Sequence, residues 1–259
     1  MSTADVHGLI DEVVRSGSRL SEAVAGRTDA EFRAPSRLEG WTRGRVLAHV
    51  AHAADAYVWL LRRARTGVEP GPRRDGAALA QATEDTAALP AVELLAEVRG
   101  CLARFTAEAQ AMPAEAWTGM VRALAGWRHP AWFTLRRCLR ELETHHLDLG
   151  LGYRTADWPA AYVSWALDDT LAALKAQGFA VSSVEAVDLG RSWEVCTDGP
   201  AIAGPGHALL GWLSGRTSAV GLVSDHPSTA LPCPPAWPQP PVPGWGMARD
   251  GGSALNQIA

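Results

Sequence analysis

The chain has 259 residues, of which 47% are hydrophobic and 20% are charged, and this composition indicates a globular protein with one large or two modest domains. The formal net charge is -4 and no basic stripe is present, which argues against nucleic acid and anionic membranes as partners. The first residues lack a signal-peptide pattern, and no apolar run reaches the ~18 residues that span a membrane. The four cysteines show no CxxC spacing, so we expect a cytoplasmic protein with reduced thiols.

Hydrophobic residues recur at three- and four-residue steps in the N-terminal part of the chain, which predicts four long amphipathic helices. These helices are expected over residues 4–25, 43–65, 90–111 and 130–150. Thr42 is the predicted N-cap of the second helix, Pro130 is expected in the first turn of the fourth, and Gly150 is expected at its end. Residues 67–76 are predicted to form a turn-rich connection. Four such helices predict a four-helix bundle.

The pattern changes after residue 155, where shorter segments alternate with glycine and aspartate. The later elements are expected in this order: a helix at 159–176, strands at 184–190 and 192–198, and a helix at 204–216. We therefore predict an α+β protein with a helical bundle at 1–157, a small α+β domain at 158–237 and a Pro/Gly-rich tail at 238–259. The seven prolines from Pro232 to Pro243 indicate either an extended segment that wraps around the protein or a loose tail.

Two ionisable residues on the fourth predicted helix, Glu141 and His145, are four residues apart, which places both side chains on one face of the helix. Such a pair can bind one metal ion. His49 on the second helix can supply a third ligand from across the bundle. Two histidines and one glutamate leave a fourth coordination position open for water or substrate, as catalytic zinc sites do. The spacing alone leaves a second interpretation open, in which these side chains form a solvated face with Glu–Arg pairs.

Four residues near these candidates need separate interpretations. His52 and His146 each lie beside a better ligand candidate, and both are expected to be wall or surface residues. Cys138 lies one turn before the glutamate and is interpreted as a small buried hydrophobe rather than a low-pKa nucleophile. Asp148 follows His145 by three residues. It either orients that histidine without binding the metal itself or pairs with an arginine, and the sequence leaves both roles open.

Two segments of the chain resemble the motifs of one family. The segment GWTRGRVLAHVAHAADAYVWLL (40–61) resembles the first motif of the mycothiol-dependent maleylpyruvate isomerase family, and RRCLRELETHHLDLGLGYRTADWP (136–159) resembles its second motif. The resemblance implies a DinB-like four-helix bundle whose metal ligands are His49, Glu141 and His145. The spacing argument selects the same three residues, so the resemblance favours a metal site over a solvated face.

The resemblance also implies a C-terminal domain similar to sterol carrier protein, with DGPAIAGPGHALLGWLSGR (198–216) as its helical motif. Arg216 is then a candidate to bind a substrate carboxylate, although a surface arginine at a helix end fits equally well. The implied cosubstrate is the low-molecular-weight thiol mycothiol. A divalent metal, for which zinc is the expected ion, would lower the pKa of the thiol. The thiolate would add to a double bond such as that of maleylpyruvate, and rotation and thiolate expulsion would complete a cis–trans isomerisation.

Three other functions stay open from the sequence. A mycothiol S-transferase would use the same thiolate but keep the sulfur in its product, and a hydrolase would use metal-activated water. A non-catalytic small-molecule-binding protein would use the three ligands only for its structure. In each catalytic case the partners are small molecules, and we expect a monomer because two domains can cover each other's apolar faces. The substrate does not follow from the sequence, and manganese, iron or nickel also suit these ligands.

Overall fold

A computed structural model of the protein describes residues 3–226 and 230–238. The chain divides into two compact units, residues 1–153 and residues 154–259. The tail predicted over residues 238–259 lies outside the described residues, apart from its first residue. Within the described residues, no helix is both long enough and apolar enough to cross a bilayer.

The first unit is a bundle of four long helices with two shorter helices beside them. In chain order its helices are α1 (Thr3–Ala23), α2 (Asp29–Arg33), α3 (Arg43–Thr66), α4 (Gly76–Ala87), α5 (Ala91–Gln110) and α6 (Phe133–Asp148). The long helices α1 and α3 each pack against both α5 and α6. Their apolar stripes meet in a core that includes the fully buried side chains of Leu20, Leu47, Leu94 and Leu139. This arrangement confirms the predicted four-helix bundle.

Helix α3 carries the first ligand candidate, and its own sequence fixes both of its ends. The Thr42 side chain accepts a hydrogen bond from the backbone N–H of Arg45 at 3.1 Å, as expected for the predicted N-cap. At the other end Gly67 adopts a φ of +73°, a left-handed conformation that glycine adopts without strain. Its N–H donates to the Arg63 carbonyl. These caps determine where α3 begins and ends, and α3 holds His49 on its buried side.

The fourth long helix begins later than the sequence predicts. Two short strands that are absent from the prediction precede it: β1 (Met120–Arg122) and β2 (Arg128–Pro130). Pro130 therefore ends a strand rather than starting a helix, and α6 begins at Phe133. The backbone explains the difference, because the N–H of Ala131 donates at 2.8 Å to the Gly119 carbonyl and extends the hairpin by one bond. A proline near a helix start is compatible with either structure, so sequence alone favoured the wrong one.

Helix α4 is also absent from the sequence prediction. Its sequence, GAALAQATEDTA, has no clear apolar stripe, and Thr83 is its one buried residue. The available signal was Asp75, whose side chain caps the helix by accepting a hydrogen bond from the Ala78 N–H at 2.8 Å. Helix α4 packs against α3. The turn-rich connection predicted at residues 67–76 ends where this helix begins.

Helix α6 is buried on most sides although it carries many ionisable residues. Glu141, Glu143, His145, His146 and Asp148 are each at most 9% exposed. The interpretation of these side chains as a solvated face is therefore wrong. Ionisable groups at this depth need partners within the protein, because an unpaired buried charge is costly. Glu143 and Glu141 find their partners on opposite sides of the helix, towards α1 and towards α3.

The carboxylate of Glu143 joins α6 to α1. This carboxylate accepts hydrogen bonds from the Ser16 hydroxyl, from the Arg19 guanidinium at 2.5 Å and from the Tyr153 hydroxyl at 2.5 Å. Two residues along a helix correspond to more than half a turn, so Glu143 and Glu141 point in nearly opposite directions. The anchor on α1 therefore leaves the Glu141 side of α6 facing α3, against which α6 also packs.

The second unit combines two helices with a small mixed sheet. Its elements are α7 (Ala160–Ala176), β3 (Ser183–Ala186), β4 (Arg191–Glu194), β5 (Ala201–Gly204), α8 (Gly206–Leu213) and β6 (Val223–Ser224). The strand order is β4-β3-β5-β6, and β3 and β5 run parallel with Val184 opposite Ile202. Helix α8 packs on α7, β3 and β5. The predicted strands at 184–190 and 192–198 contain β3 and β4, whereas β5 and β6 are absent from the prediction. The overall α+β class is confirmed.

Candidate metal centre

Three candidate ligands, one from α3 and two from α6, meet inside the bundle. His49, Glu141 and His145 are all buried, and their ligand atoms lie within 4.8 Å of one another. Glu141 and His145 come together because they are one helical turn apart on α6. His49 reaches them because α3 packs against this side of α6. The structure thus brings together the three residues that the sequence selects, and this group can hold a metal ion.

Two distances between the ligand atoms fit a tetrahedral metal. Glu141 Oε2 lies 3.2 Å from His49 Nε2 and 3.1 Å from His145 Nε2. Ligand atoms that each lie ~2.0–2.1 Å from a tetrahedral zinc ion are about 3.3 Å apart, so these two distances are close to the edges of such a site. The two imidazole rings are 4.8 Å apart and nearly perpendicular, at 81°.

The position of the proton on the His145 ring also favours a cation between the ligand atoms. Its Nδ1 lies 3.0 Å from Asp148 Oδ2, and a carboxylate only accepts hydrogen bonds, so Nδ1 carries a proton. A neutral ring then presents the lone pair of Nε2 to Glu141 Oε2 at 3.1 Å. Two acceptors this close require a positive charge between them, either a second proton on the imidazole or a metal ion. Asp148 therefore contacts the candidate ligand His145.

The electrostatics of Glu141 and His145 agree with this requirement. Burial acts to raise the pKa of Glu141, but hydrogen bonds from His145 and His49 hold that pKa well below its usual value. Burial acts to lower the pKa of His145, but hydrogen bonds to Asp148 and Glu141 raise that pKa to about 9. The surroundings thus keep the carboxylate ionised and favour a cation beside it. A divalent metal would take the place of the extra proton.

Tyr57, which the sequence analysis does not single out, contacts the same carboxylate. Its hydroxyl donates to Glu141 Oε1 at 2.9 Å, while the other oxygen of Glu141 faces the two histidines. Tyr57 lies eight residues after His49 on α3, which places both on one side of the helix. A sequence signal was present, because a tyrosine in an otherwise apolar stripe brings a polar group that needs a partner when buried. The hydroxyl leaves Oε2 as the oxygen available to a metal.

The other residues considered near the site lie outside the ligand group. His52 Nε2 is 3.1 Å from the Ala82 carbonyl and 3.0 Å from the Thr86 hydroxyl, so it faces α4. His146 stacks on the ring of Tyr153 at 3.9 Å. Cys138 is buried, and burial together with the nearby Glu141 charge raises the pKa of its thiol, so the thiol stays protonated at neutral pH. That state suits packing rather than nucleophilic attack.

Arg216, the candidate for carboxylate binding, lies in the second unit just after α8. The preceding residue, Gly215, adopts a φ of +68° and ends the helix. The guanidinium of Arg216 donates to the Ser214 carbonyl at 2.9 Å and lies 5.4 Å from the centre of the Trp237 ring. Its role in substrate binding stays a prediction.

A second group of potential ligands lies on α3 and α5. Asp55, Glu97 and Cys101 also place their ligand atoms within 4.8 Å of one another. However, the guanidinium of Arg104 donates hydrogen bonds to all three side chains. Burial, the Asp55 charge and the Glu97 carboxylate also raise the pKa of the Cys101 thiol, so no thiolate forms at neutral pH. Arg104 already supplies the positive charge here, and this group is a weaker metal candidate.

Comparison with known proteins agrees with the motifs on α3 and α6. Residues 13–150, more than half of the chain, match the family model described as the mycothiol maleylpyruvate isomerase N-terminal domain. The chain belongs to this family. The matched span contains the three candidate ligands His49, Glu141 and His145, together with Tyr57 and Asp148. No curated protein matches the sequence.

Two solved structures related to this family resemble the whole fold. The crystal structure of a mycothiol-dependent maleylpyruvate isomerase superposes on this chain with a TM-score of 0.79 at 25% sequence identity. The superposition covers 92% of this chain and 100% of the other. The crystal structure of a histidine-to-alanine variant of such an isomerase is 24% identical with a TM-score of 0.78, at the same coverage of both chains. At this identity the second structure supports the fold only.

For this member of the maleylpyruvate isomerase family, we expect Asp148→Asn to weaken zinc binding by ~10- to 100-fold, because it removes the charge that fixes the His145 tautomer. Competition with a chromophoric chelator measures the zinc affinity. Asp11→Asn, the same substitution at an exposed position of α1, is the matched control and should bind zinc as the wild type does. Equal zinc affinities for Asp148→Asn and Asp11→Asn would show that Asp148 does not support the site.

Proposed function

We propose that this protein is an enzyme that holds a divalent metal ion, with zinc as the expected ion, and activates mycothiol to isomerise a maleylpyruvate-like substrate. The observation that carries the proposal is the buried group of His49, Glu141 and His145, in which Glu141 Oε2 lies 3.1–3.2 Å from Nε2 of each histidine. Family membership and the similarity to a mycothiol-dependent maleylpyruvate isomerase support the choice of thiol and of substrate class.

Five side chains of this protein have distinct roles at the proposed site. His49 and His145 would bind the ion through Nε2, and Glu141 would bind it through Oε2. Asp148 keeps the proton of His145 on Nδ1, and the Tyr57 hydroxyl occupies Oε1. When bound, the ion would offer an open coordination position to a thiol and lower its pKa, so that the thiolate exists at neutral pH.

The external thiolate is the proposed nucleophile, so the reaction needs no cysteine of the chain. This agrees with Cys138, which is buried and has a raised pKa. The thiolate adds to the electron-poor double bond, and the resulting single bond rotates. Expulsion of the thiolate then restores the double bond in the trans form and regenerates the thiol, so that no atom is gained or lost. We further propose that Arg216 binds a carboxylate of the substrate.

The fate of the sulfur tests this function. Metal-loaded protein is incubated with mycothiol and maleylpyruvate, and the products are identified by mass spectrometry. We expect the trans isomer and an unchanged amount of free thiol. A stable sulfur conjugate would instead establish an S-transferase, and turnover without thiol would indicate a hydrolase. No turnover, together with unchanged ligand binding by His145→Ala, would indicate a binding protein.

A further inference from the structure

Arg137 lies on α6, one helical turn before Glu141, and two aromatic rings hold its guanidinium. The central carbon of the guanidinium is 4.8 Å from the centre of the Tyr57 ring and 4.8 Å from the centre of the Trp127 ring. Tyr57 belongs to α3, and Trp127 lies between β1 and β2. A flat guanidinium stacks well on aromatic faces, and such stacking restricts its orientation. Arg137 on α6 is therefore held by α3 and by the connection between β1 and β2.

His129 contacts the edge of the same guanidinium. It is fully buried, and burial together with the positive charge of Arg137 lowers its pKa to about 4, so the ring is neutral at pH 7. Its Nδ1 lies 2.8 Å from the Pro130 carbonyl, which can only accept, so Nδ1 carries the proton. Nε2 is then an acceptor, and it lies 3.5 Å from Nη1 of Arg137. A neutral histidine fixes one edge of the guanidinium without neutralising its charge.

The charge of Arg137 has no carboxylate partner among the residues that the structure describes. Other arginines of the first unit do have such partners, for example Arg19 with Glu143 and Arg104 with Asp55. Each nitrogen atom of Arg137 either has a hydrogen-bond partner or is exposed to solvent. The N–H groups that do not contact His129 therefore reach solvent. The chain thus holds a cation firmly and leaves its hydrogen-bond donors available.

A second arginine adds positive charge close to Arg137. The guanidinium of Arg73 lies 4.8 Å from the centre of the Trp59 ring and donates to the Arg122 carbonyl at 2.8 Å. Burial and the charge of Arg137 lower the pKa of Arg73, and Glu69 opposes this effect. Two guanidinium groups close enough to repel each other create a local positive potential that attracts anions.

Tyr57 connects this positive group to the candidate metal centre. Arg137 lies over its ring, and its hydroxyl is 2.9 Å from Glu141 Oε1. A small molecule that bound to both Arg137 and the metal centre would have an anionic group at one end and its reacting atom at the other. The distance between them would be little more than the length of one phenol ring. Arginine is suited to carboxylates, because its planar fork can make two parallel hydrogen bonds to the two oxygens.

We propose that Arg137 binds a carboxylate of the substrate and thereby positions the substrate beside the metal centre. The identity of the ligand as substrate rests on the proposed function, whereas the binding of a carboxylate at Arg137 does not. Arg137 is not a metal ligand. Carboxylate binding can therefore be measured on metal-free protein, separately from turnover.

Calorimetric titration of metal-free protein with maleate and with its neutral diamide tests the proposal. We expect the wild type to prefer maleate, and Arg137→Gln to bind maleate ~10- to 100-fold more weakly while its affinity for the diamide is unchanged. Arg99→Gln is the matched control, because Arg99 is an exposed arginine on α5, and it should behave as the wild type does. In separate samples reconstituted with zinc, the zinc content should be the same in all three proteins.

Equal maleate affinity in Arg137→Gln and wild type would overturn the proposal, and so would a wild type without preference for maleate over the diamide. Arg137→Lys is made in parallel and serves if Arg137→Gln does not fold. It keeps a charge but loses the planar fork, so we expect at least ~5-fold weaker maleate binding. Unchanged binding in that variant would also overturn the proposal. A wild type that binds maleate but holds no zinc would contradict the proposed function and leave the role of Arg137 intact.

Discussion

Replacing His145 with alanine is expected to abolish metal binding and thiol-dependent turnover together. The imidazole supplies one of three ligand atoms, and it is also the group through which Asp148 acts on the site. Loss of a ligand should cost more than the ~10- to 100-fold that loss of a supporting residue costs, so we expect zinc affinity to fall by more than ~100-fold. Chelator competition measures the affinity, and isomer formation measures the turnover.

His146→Ala provides the matched control on the same helix. His146 is the next residue, but its ring stacks on Tyr153 at 3.9 Å and does not belong to the ligand group. This variant should lose some stability, because the His146 ring is buried and stacks on Tyr153, yet it should keep its zinc. Similar zinc affinities in His145→Ala and the wild type would contradict the site, as would an equal loss in both variants.

Omission of the external thiol is expected to reduce turnover to the uncatalysed background. In the proposed reaction the attacking sulfur comes from solution, and the metal site serves to ionise it. The measurement is the initial rate of isomerisation as the mycothiol concentration is raised from zero. We expect a saturable increase, with no rate above background at zero thiol.

Cys138→Ala separates the external thiol from a thiol of the protein. Cys138 is the cysteine nearest in sequence to Glu141, but burial and the Glu141 charge raise the pKa of its thiol. The variant should therefore retain turnover with added mycothiol and remain inactive without it. Turnover by the wild type without added thiol, lost in Cys138→Ala, would assign the nucleophile to the protein instead.

The sequence predicts the metal group because its geometry is mostly local. Glu141 and His145 are one helical turn apart, so any helix brings them together, and a single contact between α3 and α6 adds His49. The helices are also predictable, because Thr42 provides an N-cap and the apolar stripes have the period of a helix. The resemblance to the maleylpyruvate isomerase family singles out the same residues.

The parts that sequence reasoning misses depend on tertiary contacts. Tyr57 and Arg137 have ordinary positions in a helical pattern, and their roles emerge only when α3, α6 and the β1–β2 hairpin meet. The choice between a solvated and a buried α6 is of the same kind, since Glu143 is buried by partners on α1 that are more than a hundred residues away. The role of Arg216, the identity of the metal and a monomeric state stay predictions.

The most direct test of the central claim is the number of divalent ions bound per chain. Wild-type protein is stripped with a chelator, reconstituted with zinc, freed of excess metal and analysed by elemental mass spectrometry beside Glu141→Ala. We expect about one ion per chain in the wild type and none in the folded variant, because three buried ligand atoms within 4.8 Å of one another define one position. A wild type that binds no metal after reconstitution, or a Glu141→Ala protein that binds as much as the wild type, would contradict a metal-dependent mechanism at this site.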